Sequence, residues 1–193
     1  TAYYFSVASS SIANFFDEMY LNTPWEQHYD NLDGRTILDR LASVKYFVVK
    51  KGEEAYLPYG YSRLCGQAEK KSKTYLAYAN EDALPLGYTY DSWISEKDYS
   101  EMSVTEKQQA LLQGVVLKES FLPKAELSFN DQEIPYYTSE GKGCRLKNGK
   151  IIVTSENAQL KLVFEGEENA ETYLVAEGLD YDGLSPREMI SDK

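Results

Sequence analysis

Helical hydrophobic periodicity is confined to the first part of this chain and disappears after Pro123. Over residues 12–19, apolar side chains recur at the spacing of one helix face, behind a run of serines that can cap a helix. A second, short helix is predicted over residues 36–42, and a third follows Ser103 and Glu106, which have the spacing of a capping box. The sequence therefore predicts a mixed part followed by a part without helices.

Strand signals lie between these helices. The segment 45–50 is rich in β-branched and aromatic residues, and the segment 73–78 alternates between apolar and polar residues. Residues 84–90 and 115–117 are also predicted as strands. One proline and several glycines interrupt residues 51–72, so only turns and short strands are predicted there.

The last third of the chain has a strong hairpin signal at Asn148-Gly149, because both residue types accept the positive φ of a two-residue type I′ turn. Residues 160–164 and 172–176 are predicted as further strands, and residues 125–129 alternate in the same way. Short strands at this spacing predict an antiparallel β-sandwich.

The predicted fold class is therefore α+β. A mixed α/β part is expected over residues 1–122, and an antiparallel, sandwich-like β part over residues 123–193. The second part has about 70 residues, fewer than the roughly 100 of a complete sandwich, so we expect the sandwich to be truncated. Since the chain begins with Thr1 and shows no signal peptide, we expect it to be a piece of a longer protein.

Charge excludes one class of partner. The chain has 31 acidic and 20 basic residues, so its formal net charge is −11. A surface this acidic repels phosphate backbones, and we expect no binding to nucleic acid. No apolar run approaches the ~18 residues that span a bilayer. The composition is otherwise that of an ordinary globular chain.

The sequence lacks the motifs of common enzyme classes: a Gly-rich phosphate loop, a G-x-S-x-G elbow and H-E-x-x-H. His28 is the single histidine, which excludes a multi-histidine metal site and is most simply interpreted as a loop residue. Cys65 and Cys144 could form one disulfide, but nothing in the sequence requires it, and we interpret them as unpaired. We assign no catalytic residue.

Asp180 and Asp182 form the strongest candidate for a metal site. Two carboxylates one residue apart can share a divalent cation, and some nucleotide-sugar transferases use such a pair. The surrounding pattern is all-β, however, and an acidic turn followed by Gly183 has the same composition. No cofactor is expected, with calcium or manganese at this pair as the alternative.

Tyrosine dominates the aromatic residues, with 17 in the chain. An aromatic ring can stack on the apolar face of a sugar while a neighbouring acid accepts its hydroxyls. The candidate glycan-binding residues chosen from the aromatic clusters are Trp25, Tyr29, Tyr90, Asp91 and Trp93. The alternative explanation is a set of strands that bury one aromatic face.

Several segments together carry a family resemblance. They are LASVKYFVV at 41–49, LPYGY at 57–61, YANEDALPLGYTYDS at 78–92, and EKQQALL at 106–112 leading to VVL at 115–117. They resemble the YfhO-type bacterial membrane proteins over roughly residues 1–120, and the later β part is similar to that family only in character.

The resemblance implies a polytopic membrane protein that is similar to glycosyltransferases using lipid-linked sugar donors. It implies a role in decorating cell-surface polymers such as lipoteichoic acid. This piece would be a water-exposed region on the extracellular face, next to the transmembrane region of its own protein. A neutral glycan or a lipid-linked sugar would suit its charge better than an anionic polymer.

The catalytic acid of such transferases usually lies in a loop near the N-terminal membrane helices, so no catalytic residue is carried over to this chain. The recurring family positions Asn80, Pro85, Gly87 and Asp91 are expected to shape a turn and a strand. The first hypothesis is non-catalytic recognition of glycan or acceptor, and the second is a structural or protein-interaction module. A free-standing hydrolase or transferase using Asp180 and Asp182 is the third.

Overall fold

The computed structural model describes residues 3–4, 10–21, 28–29, 32–168 and 170–175. The chain forms two compact units, the first built on residues up to Phe129 and the second on Asn130–Leu174. The first unit mixes helices with strands, whereas the described elements of the second are all strands. The α+β prediction is therefore confirmed.

The helices of the first unit are short, and three of the four begin close to where the sequence predicts; the exception is the helix over Glu96–Ser100. They are α1 (Ser10–Glu18), α2 (Thr36–Leu41), α3 (Glu96–Ser100) and α4 (Val104–Ala110). The capping box of α4 is formed: Ser103 Oγ accepts the backbone N–H of Glu106 at 3.3 Å, and Glu106 Oε2 accepts that of Ser103 at 2.8 Å. The predicted third helix ends at Ala110 and continues to Gly114 only as turns.

Two strand groups precede α3 along the chain. The two-residue strands β1 (Tyr3–Tyr4) and β2 (His28–Tyr29) pair antiparallel. A three-stranded antiparallel sheet has the order β3-β5-β4, where β3 is Tyr46–Lys50, β4 is Tyr61–Lys70 and β5 is Lys73–Asn80. A 3₁₀ helix, Glu54–Tyr56, lies between β3 and β4.

The chain then makes a parallel pair. The strands β6 (Trp93–Ser95) and β7 (Val115–Leu117) lie side by side, with α3 and α4 in the connection between them. Parallel neighbours require such a crossover, and helices usually supply it.

The core of the first unit forms between the helices and this parallel pair. Its buried members are Met19, Leu21, Leu38, Ile94, Tyr99 and Ala110. Leu38 is 1% exposed and Ile94 is 2% exposed, so α2 and β6 each contribute one fully buried side chain. Burying a leucine or isoleucine side chain contributes roughly 1.5–3 kcal/mol.

The second unit contains two antiparallel pairs. The strand β8 (Tyr136–Lys142) pairs with β11 (Gln159–Phe164), and β9 (Cys144–Lys147) pairs with β10 (Lys150–Val153). The predicted hairpin is confirmed: Asn148 has φ +51° and Gly149 has φ +71° at its turn. None of the side chains described in this unit is fully buried.

Five sequence predictions are wrong. His28, interpreted from the sequence as a loop residue, belongs to the strand β2. Residues 61–70, predicted as interrupted, form the longest strand, because Gly66 is accommodated opposite Ala77 beside a bulge. Residues 84–90, 125–129 and 172–175 alternate in polarity but are not strands. A period of two indicates a strand only when the backbone forms a continuous ladder with a partner strand. Among the described residues these segments form no such ladder, although the Ala125 N–H donates to the Trp93 carbonyl on β6 at 2.8 Å.

Both cysteines are free thiols, as interpreted from the sequence, with Cys65 exposed and Cys144 half-buried. Each thiol lies near a backbone carbonyl: Cys65 Sγ is 3.3 Å from Ala77 O, and Cys144 Sγ is 3.1 Å from Gln159 O. Among the described residues, the helices are all too short or too polar to cross a bilayer.

Candidate functional site

A cavity of about 270 Å³ opens in the first unit. The helices α1 and α2, together with residues outside but near α2 and α4, supply its apolar walls, and the segment between β5 and β6 supplies two tyrosines. Its lining residues are Phe15, Leu32, Leu38, Leu41, Ala42, Tyr88, Tyr90 and Leu111. We call it the tyrosine cavity.

The two tyrosine rings are fixed against each other and against helix ends. Their centroids are 5.6 Å apart and their planes meet at 78°, the edge-to-face arrangement that aromatic pairs favour. Tyr90 Oη donates to the backbone carbonyl of Leu111 at 2.6 Å, and Tyr88 Oη lies 3.3 Å from that of Leu41. Each ring is therefore held at both of its ends, by its backbone and by its hydroxyl.

The cavity is electrically neutral at physiological pH. Burial, and after it the hydrogen bond with the neighbouring Tyr88, raises the pKa of Tyr90 to about 12. Tyr88 and Tyr90 are the two lining residues with ionisable side chains. The site can therefore accept an apolar surface, such as the face of a sugar ring, but it offers no acid or base for proton transfer near pH 7.

The predicted glycan-binding residues are only partly brought together. Tyr90 lines the cavity, and Asp91 follows it with an exposed side chain. Trp93 is half-buried on β6, opposite Val115, and is not among the lining residues. Its backbone N–H donates to the carbonyl of Pro123 at 3.0 Å and its carbonyl accepts the N–H of Ala125 at 2.8 Å.

The other predicted site residues cannot be placed. Tyr29 belongs to β2, but its side chain is outside the description, and Trp25 lies outside the described residues altogether. Asp180 and Asp182 also lie outside them. Within the described ranges, no three His, Cys, Asp or Glu side chains are grouped closely enough to hold a metal ion.

Sequence reasoning missed a buried polar cluster that joins α2 to the sheet. Tyr61 Oη lies 2.8 Å from the carbonyl of Val44 and 3.1 Å from Asp39 Oδ2, and its one proton can be donated to either. Burial, followed by the charge of Asp39, raises the pKa of Tyr61 well above its usual value. Asp39 is 5% exposed and Tyr61 is 3% exposed, so no substrate can reach this cluster, which positions α2. The one indication of this cluster in the sequence is Asp39, a carboxylate next to the apolar residues of a short predicted helix.

Asn80 shapes the turn after β5, as expected for this position. Its Oδ1 accepts the backbone N–H of Asp82 at 3.0 Å, and the Asp82 carboxylate pairs with Arg40 at 2.5 Å. The side chain of Asn80 is fully buried next to Gly60, whose φ of +89° favours glycine. This turn starts the segment that carries the two tyrosines into the cavity.

Comparison with known proteins gives two matches. The model of the family described as bacterial membrane protein YfhO matches residues 1–185. The uncharacterized protein YfhO of Bacillus subtilis (strain 168) is 29% identical over 129 residues, which cover 67% of this chain and 14% of that protein. The chain thus corresponds to a small part of this relative. No solved structure gives a significant match.

Proposed function

This chain belongs to the YfhO family of bacterial membrane proteins, and we propose that it is an extracytoplasmic, non-catalytic recognition module of a glycosyltransferase-like membrane protein. The parent protein transfers sugars from lipid-linked donors to a cell-surface polymer of the lipoteichoic acid type. The module lies beside the transmembrane region of its own protein and receives a glycan unit in the tyrosine cavity.

The observation that carries this proposal is the rigid pair of tyrosine rings at the edge of an apolar cavity. A stacking platform works best when its rings are already held in place, because less side-chain freedom is lost on binding. The hydroxyls of Tyr88 and Tyr90 are held by helix-end carbonyls, so the rings need little further ordering. The exposed carboxylate of Asp91 follows directly and is available to accept sugar hydroxyls.

The same geometry supports recognition rather than catalysis. Glycosyl transfer needs a carboxylate or another base at the reacting carbon, and the cavity walls contain none. In this proposal the reactive groups belong to other parts of the parent protein, and this module selects or holds the acceptor or the sugar.

Glycan-array screening followed by calorimetric titration of the best hit tests the proposal. We expect the Tyr88→Ala and Tyr90→Ala variants to bind the glycan roughly tenfold more weakly, since each removes one stacking face. Tyr90→Phe keeps the ring and should retain most of the affinity.

Tyr56→Ala is the matched control, because Tyr56 is 78% exposed and does not line the cavity. Equal losses in Tyr56→Ala and Tyr90→Ala would contradict the proposal, as would an array without any specific hit.

A second candidate function is a structural brace for the membrane-embedded part or for an assembly partner. It is favoured by the bonds of the two tyrosines to Leu41 and Leu111, which tie one irregular segment to the ends of two helices. A silent glycan array, combined with a large loss of thermal stability in Tyr90→Phe, would favour this function over glycan recognition.

A further inference from the structure

Five lysines converge at one end of the three-stranded sheet although the chain as a whole has a net charge of −11. The register places Lys70 opposite Lys73 at the β4–β5 turn and Lys50 opposite Tyr75 on the other side of β5. The backbone N–H of Lys51 donates to the carbonyl of Thr74 at 2.9 Å, which fixes the end of β3 beside that turn. We call this group the lysine-rich tip; it consists of Lys50, Lys51, Lys70, Lys71 and Lys73.

Most of these ammonium groups are free to meet an external anion. Lys50 pairs with Glu53 at 3.0 Å, and that carboxylate raises the pKa of Lys50. The other four lysines are exposed and, within the described parts of the chain, form no ion pair. Two further glutamates belong to the same segments: Glu54, whose carboxylate accepts the N–H of Gly52 at 2.7 Å, and Glu69, which lies opposite Thr74. The tip still has five positive charges against three negative ones.

An open cleft separates the two lysine-bearing segments. It measures about 440 Å³ and is lined by Lys50, Lys51, Glu53, Ser72, Lys73 and Thr74. Its walls are polar and charged, unlike those of the tyrosine cavity, so it suits a hydrated anionic group and not an apolar one.

The turn itself is made from residues that do not favour its backbone. Lys71 has φ +48° and Ser72 has φ +60°, where Asn and Gly are preferred. Lys70 also faces Lys73 directly, a like-charge pair that the β9–β10 hairpin shares in Lys147 and Lys150, so the turn residues are what distinguish the two hairpins. Residue types that disfavour the backbone conformation of their own segment are expected mainly where function requires them.

We propose that the lysine-rich tip docks on the anionic phospholipid surface of a membrane. The chain belongs to a family of membrane proteins, so a bilayer is the anionic surface that this proposal selects. Lysines attract anionic headgroups over about one Debye length, ~8 Å at physiological salt. The acidic remainder of the chain is repelled by the same surface, which orients the tip toward the lipid.

Vesicle flotation of the purified chain tests the docking. The probes are vesicles of phosphatidylcholine mixed with phosphatidylglycerol, and vesicles of phosphatidylcholine alone. We expect binding only to the mixed vesicles, weakening as salt is raised. The Lys71→Gln/Lys73→Gln variant should bind roughly thirtyfold more weakly, since each lysine near an anionic surface contributes roughly fivefold in affinity.

The matched control is Lys147→Gln/Lys150→Gln, which removes the same charge from the β9–β10 hairpin. It should bind like the unmodified chain. Lys71→Asn is a second test variant that cannot fail through misfolding of the turn, since Asn accepts positive φ; it should keep or raise stability while weakening vesicle binding.

Three results would overturn the proposal. The first is the absence of binding to mixed vesicles, and the second is an equal loss in the two double variants, which would indicate an effect of net charge alone. The third is binding to soluble polyphosphate without binding to vesicles, which would identify a phosphate polymer as the occupant instead.

Discussion

The two hairpins that close with two-residue turns, β4–β5 and β9–β10, solve the same backbone problem with opposite sequences. The β9–β10 turn uses Asn148 and Gly149, both suited to positive φ, whereas the β4–β5 turn places Lys71 and Ser72 in the same region. A non-glycine residue there costs roughly 1–2 kcal/mol. The difference shows that one hairpin is specified by its turn, and the other must be stabilised from elsewhere.

The surroundings of each hairpin show where that stabilisation lies. β5 is a central strand that pairs with both β3 and β4, and it buries Leu76 to 6% exposure opposite Val49. Among the described strands, β9 and β10 pair with each other alone, and Ile151 is 50% exposed. Burial thus stabilises the first hairpin, and turn chemistry stabilises the second.

The largest difference in stability between the two units is expected under alkaline conditions. Burial raises the pKa of Tyr61, Tyr90 and Tyr99, to about 12 for Tyr90, and all three lie in the first unit. A pKa raised in the folded state contributes stability that is complete below the unfolded value of about 10 and is lost as pH rises through the folded value. The first unit should therefore unfold between about pH 10 and pH 12.

Absorbance of tyrosinate, followed together with circular dichroism, measures this effect. The titration should have two phases, with a first rise of tyrosinate absorbance that leaves the ellipticity unchanged. The buried group should ionise later and together with unfolding. Ionisation of every tyrosine in one step near pH 10, with unchanged ellipticity, would contradict the burial of these three side chains.

Truncation of one side chain in each hairpin sharpens the comparison. Leu76→Ala should destabilise the first unit by about 2–4 kcal/mol, because it removes a buried leucine. Ile151→Ala should cost no more than about 0.5 kcal/mol, because that side chain is half-exposed. Hydrogen exchange of the backbone amides, resolved by segment, measures both, and similar losses would remove the distinction between burial and turn chemistry.

Replacing the turn residues of each hairpin by those of the other should change stability less than Leu76→Ala does, and with opposite signs in the two hairpins. Asn148→Lys/Gly149→Ser should weaken the β9–β10 hairpin by about 1–2 kcal/mol. Lys71→Asn/Ser72→Gly should stabilise the β4–β5 hairpin by about 0.5–1 kcal/mol. Hydrogen exchange of the backbone amides at the two hairpins is again the measurement. Stabilisation by Asn148→Lys/Gly149→Ser, or destabilisation by Lys71→Asn/Ser72→Gly, would contradict the comparison.

The same contrast explains how much of the fold the sequence could predict. Asn148-Gly149 identifies a hairpin because the local residue types determine it. β5 is predictable over residues 73–78 from its alternation, whereas β4 is not, because most of its side chains are exposed and its position depends on pairing with β5. Helix starts such as Ser103 were predictable because capping is a local hydrogen bond.

The candidate site was predictable only as an aromatic cluster. Tyr90 was chosen from the sequence and lines the cavity, but the carbonyl partners at Leu41 and Leu111 depend on tertiary packing. Trp93 was chosen by the same criterion and instead lies in the parallel pair with β7. Sequence shows which rings are near each other in the chain, and packing decides which of them share a cavity.

Nuclear magnetic resonance mapping of the best glycan from the array tests the central claim most directly. Titration of the isotope-labelled chain should shift the amide resonances of Tyr88, Tyr90 and Leu111, with no systematic change at the lysine-rich tip or in Asn130–Leu174. Shifts concentrated at the tip or in the second unit, with the tyrosine cavity unaffected, would contradict the account.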